Sequence, residues 1–196
     1  MNTPILLGRV LRSSTAAYTF GYNHVDDAPP PFGALIRADV ATESVYGLVY
    51  DVVVHDDPFV RQIVAAGEEM DETRIQDMRQ RRQTPVEITA LAVAYARGDQ
   101  VYQRIPPRPP AALQPIYACA DAEVRRALAR FDYFRTVLNN SQCPAEELLA
   151  ASLRRAARCQ LPGGDAPYLL AAGRELARLL AADPARLEAI LRRLTS

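Results

Sequence analysis

Pro106-Pro107-Arg108-Pro109-Pro110-Ala111-Ala112-Leu113-Gln114-Pro115 divides this chain into two differently patterned parts. Before it, apolar residues alternate with polar ones or run in short β-branched blocks, as strands require. After it they recur every three or four residues, as helices require. A run so rich in proline favours polyproline II, a stiff spacer rising about 3.1 Å per residue. A strut holding two patterned segments explains it more simply than a ligand for an aromatic proline-binding groove. The expected architecture is therefore α+β: a small six-stranded antiparallel β-barrel over residues 1–105, a proline-rich linker at 106–116, and an all-α four-helix domain over 117–196.

Within the first part, Ile5 to Leu11 reads as an opening strand, and Arg12-Ser13-Ser14-Thr15 supplies turn chemistry after it. Tyr18 to Tyr22, Ala34 to Ala38 and Val45 to Val54 follow as strands. Pro29-Pro30-Pro31 cannot donate to a ladder, so it marks a rigid corner, and Gly33 is free to take a positive φ there. Val86 to Tyr95 and Gln100 to Ile105 form a hairpin across Arg97-Gly98-Asp99. Short connections between six strands suggest closure, which removes exposed edges. One excursion interrupts them. Asp56-Asp57-Pro58 has the form of a capped helix start and opens a helical insertion at 58–83, whose end gathers Arg79, Arg81 and Arg82.

Gly8-Arg9-Val10-Leu11 with Ser13-Ser14-Thr15, then Pro31-Phe32-Gly33-Ala34-Leu35-Ile36, then Val45-Tyr46-Gly47-Leu48-Val49, resembles the HAS-barrel, the domain named from the HerA translocase and the ATP synthase. The likeness covers about residues 1 to 110, and the layout of the tail resembles stand-alone two-domain HAS-barrel proteins. The resemblance implies a crown-like module that packs barrel to barrel or docks on a P-loop motor ATPase. It carries over no catalytic residues. The chain lacks a Gly-x-x-x-x-Gly-Lys-Ser/Thr phosphate loop and contains no lysine at all, so any ATPase would be a separate chain.

The tail reads as four helices. Val124, Leu128, Phe131, Phe134 and Leu138 share one face of the first, which Asn139-Asn140 ends. Pro144, Glu146 and Glu147 open the second, with Leu149, Leu153, Ala156 and Ala157 as its buried stripe and Arg154, Arg155 and Arg158 outside. Leu169, Leu170, Gly173, Leu176 and Leu180 define a third after the break at Pro162-Gly163-Gly164-Asp165, and Asp183-Pro184 opens a fourth. Helices this short must pack on one another or on the barrel.

Candidate chemistry is sparse. His55-Asp56-Asp57 could form an acid/base or metal cluster, but a strand end followed by a capped helix accounts for both aspartates. His24 is the only other histidine, too few for a histidine-rich metal site. Glu68, Glu69, Asp71 and Glu72 lack Ca²⁺-loop spacing and read as a solvated turn. Ser13 and Ser14 have no nearby base, and no nucleophile elbow is present. The three cysteines, Cys119, Cys143 and Cys159, are odd in number and widely spaced, which argues for a reducing cytoplasm over a disulfide framework. No signal-peptide pattern opens the chain and no apolar run is long enough to span a bilayer, so membrane insertion is not expected.

Basic and acidic residues balance at 23 each, which removes the long-range field of a nucleic-acid binder. Tyr18, Phe20, Tyr22, Tyr46 and Tyr50 could stack on bases, though core packing explains their spacing better. The leading expectation is a non-enzymatic adaptor without cofactor or metal, docking on a motor ATPase or forming homo-oligomers, with Arg79, Arg81, Arg82, Arg154, Arg155 and Arg158 as partner contacts. A nucleic-acid-binding small barrel is the alternative. An enzyme of unrecognised type is the third reading.

Overall fold

A computed structural model describes residues 4–22, 28–55 and 86–195. The expected insertion at 58–83, with Arg79, Arg81 and Arg82 and the acidic cluster Glu68 to Glu72, lies outside the described residues, as do His24, Asp56 and Asp57. The strands are β1 (Leu6–Ser13), β2 (Ala17–Tyr22), β3 (Leu35–Val40), β4 (Glu43–Val54), β5 (Val86–Arg97), β6 (Gln100–Tyr102) and β7 (Pro115–Ala118). Every pairing is antiparallel. Pairing of β2 with β5 closes the order β2-β1-β7-β3-β4-β5 into a six-stranded barrel, and β6 hangs from β5 outside the ring.

The barrel is as expected, but its sixth stave is not. Gln100 to Ile105 contributes only the three-residue β6. The ring is completed by β7, which lies partly within the expected linker and slots between β1 and β3. Proline can begin a strand, because its first position needs no donor. Here Pro115 pairs with Arg9, and Ile116 behind it is fully buried. The seam is accordingly pinned to the barrel: Ser13 Oγ donates to the Pro110 carbonyl at 2.6 Å, and the Leu113 amide to the Val10 carbonyl at 2.8 Å.

Two register shifts in the β4–β5 ribbon decide which side chains face where. Ile88, Ala90 and Ala92 point into the barrel; the extra residue Val93 then puts both Val93 and Ala94 outside before Tyr95 turns back in. Such a bulge bends the strand and resets its alternation. The interior is packed solid by Val10, Tyr18, Phe20, Ile36, Val49, Ile88 and Ile116 around small neighbours such as Ala38 and Ala90. Gly47 belongs to this fit. A Cβ there would lie 2.5 Å from the Tyr18 hydroxyl, so the missing side chain is where the phenol end sits.

The outer wall of β4 and β5 is equally apolar. Tyr46, Leu48, Leu91 and Val93 are buried beneath the helices in one continuous core. Each such burial is worth roughly 2 kcal/mol, which is what attaches short helices to the barrel. Among the described residues the tail has five helices: α1 (Asp121–Ala127), α2 (Tyr133–Leu138), α3 (Ala145–Arg158), α4 (Asp165–Leu179) and α5 (Pro184–Thr195). The single helix expected over 121–139 is thus two. Gln103 is wedged at the break, its amide donating to the carbonyls of Ala127 (2.8 Å) and Arg130 (2.7 Å) while its oxygen faces the Tyr133 amide at 3.4 Å. The helix ends otherwise left without partners are satisfied from the barrel side.

The second helix, α3, lies where its pattern predicts, with Leu149, Leu153, Ala156 and Ala157 buried. In α4, Ala172 and Leu176 form the contact while Leu170 is exposed. Acids in the first turn of α3 grip α5: Glu146 accepts from Arg186, and Glu147 from Arg193. Partial burial works against the Glu146 charge, yet its backbone hydrogen bond and these arginines hold its carboxyl below the ordinary value of 4.5. A carboxylate depressed in the folded state contributes stability that is present above the unfolded pKa and lost as pH falls through the folded one. Thermal unfolding should therefore weaken more between about pH 6 and about pH 3 in the wild type than in Arg186→Ala. Parallel profiles for the two proteins would show that this grip contributes nothing.

Candidate functional site

The corner before β3 packs directly against a helix. Pro31 accepts from the Ala34 amide, and Gly33 donates to the Val49 carbonyl at 2.8 Å, so the corner folds back on β4. Gly33 takes φ 79°, and its missing side chain faces the backbone of α3 at Ala151 and Ser152. Beside this contact a cavity of about 660 Å³ lies between the barrel end and the helices. Leu6 and Leu7 of β1, Pro29 to Pro31, Leu35 and Ile36 of β3 form one wall. Val124 and Leu128 with Ser152, Arg155 and Arg158 form the other, and Cys119, Asp121 and Cys159 complete it. A concave, mostly apolar site with a few converging polar groups is the usual form of a ligand pocket.

Its polar groups are suited to binding more than to reaction. Burial pushes the Cys119 thiol well up. Burial, and then the Asp121 carboxylate that accepts its hydrogen bond at 3.4 Å, push the Cys159 thiol up to about 11. Reactive cysteines have depressed pKa values, so both thiols behave as small packing groups at neutral pH. Ser152 Oγ donates to the Leu149 carbonyl at 3.0 Å within its own helix.

The arginine patch named from the sequence divides here. Arg154 donates to the Arg193 carbonyl at the end of α5 and is half-buried. Arg155 and Arg158 turn the other way, to the cavity. Tyr18, Phe20, Tyr22 and Tyr46 are buried and Tyr50 is half-buried, so core packing, not base stacking, accounts for them. His55 is exposed just past the end of β4, its Nε2 3.3 Å from Glu87, which also pairs with Arg12. Among the described residues no group of three histidine, cysteine or carboxylate side chains is placed to hold a metal, and no helix is long and apolar enough to cross a membrane.

A second polar cluster ties barrel to helix. Arg37 of β3 pairs with Glu123 of α1 and with Asp39 at 3.0 Å, and lies over the Tyr117 ring at 5.5 Å. Glu123 also accepts from the Ala120 amide, closing the first turn of α1. Sequence reading missed both clusters, since Arg37 and Glu123, or Pro30 and Arg158, are far apart in the chain and share no motif. No family model matches this sequence, and no curated protein matches it.

Proposed function

We propose that this protein is a non-enzymatic docking module whose barrel end is held by another protein. The observation that carries the reading is where aliphatic side chains meet solvent. The starts of β1 and β5 and the ends of β2 and β4 lie at one end of the barrel, where register aligns Gly8, Tyr22, Val86 and Val54. Ile5 (64%), Val54 (65%), Leu6 and Val53 are exposed at that end. Leu11, Ile105, Leu113, Leu161, Leu170 and Leu191 are exposed singly elsewhere, whereas these four share one barrel end, on the opposed staves β1 and β4, and it is that grouping which marks an interaction surface. The opposite choice, the wall of β4 and β5, is already covered by the helices.

The resemblance to the HAS-barrel supplies the partner class: a separate P-loop motor ATPase, or further copies of the same barrel, in the cytoplasm. The closed six-stranded barrel is the kind of fold that this resemblance implies. Arg79, Arg81 and Arg82, which lie between β4 and β5 in the sequence, are proposed as further contacts, with Arg154, Arg155 and Arg158 as a second surface. The nucleic-acid reading has less support because its stacking aromatics are occupied in the core.

Affinity capture with the wild-type chain and with Ile5→Asp/Val54→Asp tests this. The wild type should recover a P-loop ATPase or its own copies, and the variant should bind about tenfold more weakly, or about 1.4 kcal/mol, with an unchanged melting temperature. Recovery of neither under gentle conditions, or equal recovery by both proteins, would overturn the proposal.

A further inference from the structure

The cavity beside Gly33 carries an inference that does not rest on the docking reading, although Leu6, Arg155 and Arg158 belong to both. Its walls are aliphatic, but it holds two cations, Arg155 and Arg158, against one acid, Asp121. Among the described residues neither arginine has a hydrogen-bond or ion-pair partner, and the Asp121 carboxylate accepts from the Cys159 thiol instead. Their neighbour Arg154 is tied to the end of α5, so unpaired guanidinium groups are confined to the cavity side of this stretch of α3. Positions 155 and 158 are three apart in a helix and so lie on one face.

We propose that this cavity binds a single-chain amphiphile with an anionic head, a fatty carboxylate, with the head on Arg155 and Arg158 and the alkyl chain along Leu6, Leu35, Val124 and Leu128. A guanidinium fork matches the two oxygens of a carboxylate, and such charge-assisted pairs are the stronger hydrogen bonds. The chain provides the affinity, because each buried methylene contributes about 0.8 kcal/mol. The volume, about 660 Å³, is within the ordinary range for a small-molecule site. The half-buried Arg155 and the exposed Arg158 would not by themselves select a ligand; their position over an aliphatic cavity requires both parts in one molecule.

The probes are dodecanoate below its micellar concentration, dodecanol below its solubility limit, and acetate, titrated calorimetrically into the full-length wild type and into Arg155→Gln/Arg158→Gln. Dodecanoate should bind one-to-one, at least about tenfold tighter than dodecanol, while acetate gives no heat. In the double variant the acid should fall to the affinity of the alcohol. Carbon-13 at the dodecanoate carboxyl gives a second readout: its pKa should drop on binding to the wild type, because neighbouring cations favour the charged form, and return to the free value with the variant. Circular dichroism checks that the variant is folded. Equal affinity for acid and alcohol in the wild type, no binding of dodecanoate, or an unshifted carboxyl pKa would each overturn the proposal. The docking reading is told apart by Val54→Asp alone, which lies outside the cavity and should weaken capture at the barrel rim while leaving dodecanoate affinity unchanged.

Discussion

Gly33→Ala should lower the stability of the folded chain by about 3 kcal/mol, combining roughly 1 kcal/mol for a side chain at positive φ with 1–3 kcal/mol for overpacking. The added Cβ would lie 2.6 Å from the Ala151 Cβ and 2.9 Å from the Ala151 carbonyl carbon and the Ser152 nitrogen. Two of these three are helix backbone, which cannot turn aside as a side-chain tip can. The corner must therefore open or α3 must lift from the barrel. Two companion variants separate the causes. Gly33→Asn tolerates the left-handed conformation but keeps the clash, so it should be no better than alanine. Gly33→Ala/Ala151→Gly removes the nearest atom and should recover part of the loss, a departure from additivity between touching sites. Denaturant unfolding reads all three. A loss under about 1 kcal/mol, no larger than an ordinary substitution, would mean that α3 is not seated on this corner.

The second large effect belongs to Gln103. Replacing it by alanine should cost about 2 kcal/mol, because the part-buried groups at Ala127 and Tyr133 lose a partner, at about 1–3 kcal/mol for a group left buried, while the exposed Arg130 carbonyl turns to water. Three backbone groups lose their partner: the carbonyls of Ala127 and Arg130 and the amide of Tyr133. The damage should be local. Hydrogen exchange at Tyr133 and Phe134 should accelerate more than exchange in the barrel strands, since α2 would open before the core does. Gln103→Glu keeps the acceptor but turns a carboxylate toward two carbonyl oxygens, so it should be worse than alanine at neutral pH. Uniform loss of protection across barrel and helices would show instead that Gln103 supports the whole fold.

Both predictions concern joints, and the joints are where reading by pattern stopped. The barrel strands were legible because Tyr18 to Tyr22 alternates aromatic with small or polar residues and Val45 to Val54 is a long β-branched and aromatic run. The buried stripe of α3 was legible for the same reason at a helical spacing. By contrast, Pro115-Ile116-Tyr117-Ala118 is too short to show a period and begins with a residue that argues against a strand. Its place in the ring is set by the gap between β1 and β3, which exists only once the barrel has formed. The break in 121–139 was equally hidden: Leu128 to Asp132 contains neither glycine nor proline, and its partner Gln103 lies in another part of the chain.

The same division holds for the site. Arg155 and Arg158 stood out in the sequence as charges on a helix face, and they face a cavity because Pro29 to Pro31 and the end of β7 happen to lie opposite. Taken alone, the order of residues determined that a closed, lysine-free barrel would precede a helical tail, because periodicity and turn chemistry are local properties. Tertiary structure alone decided which strand completes the ring, where the tail's first helix breaks, and which arginines are left without acids. Those outcomes depend on contacts between segments tens of residues apart, whose energies no local pattern encodes.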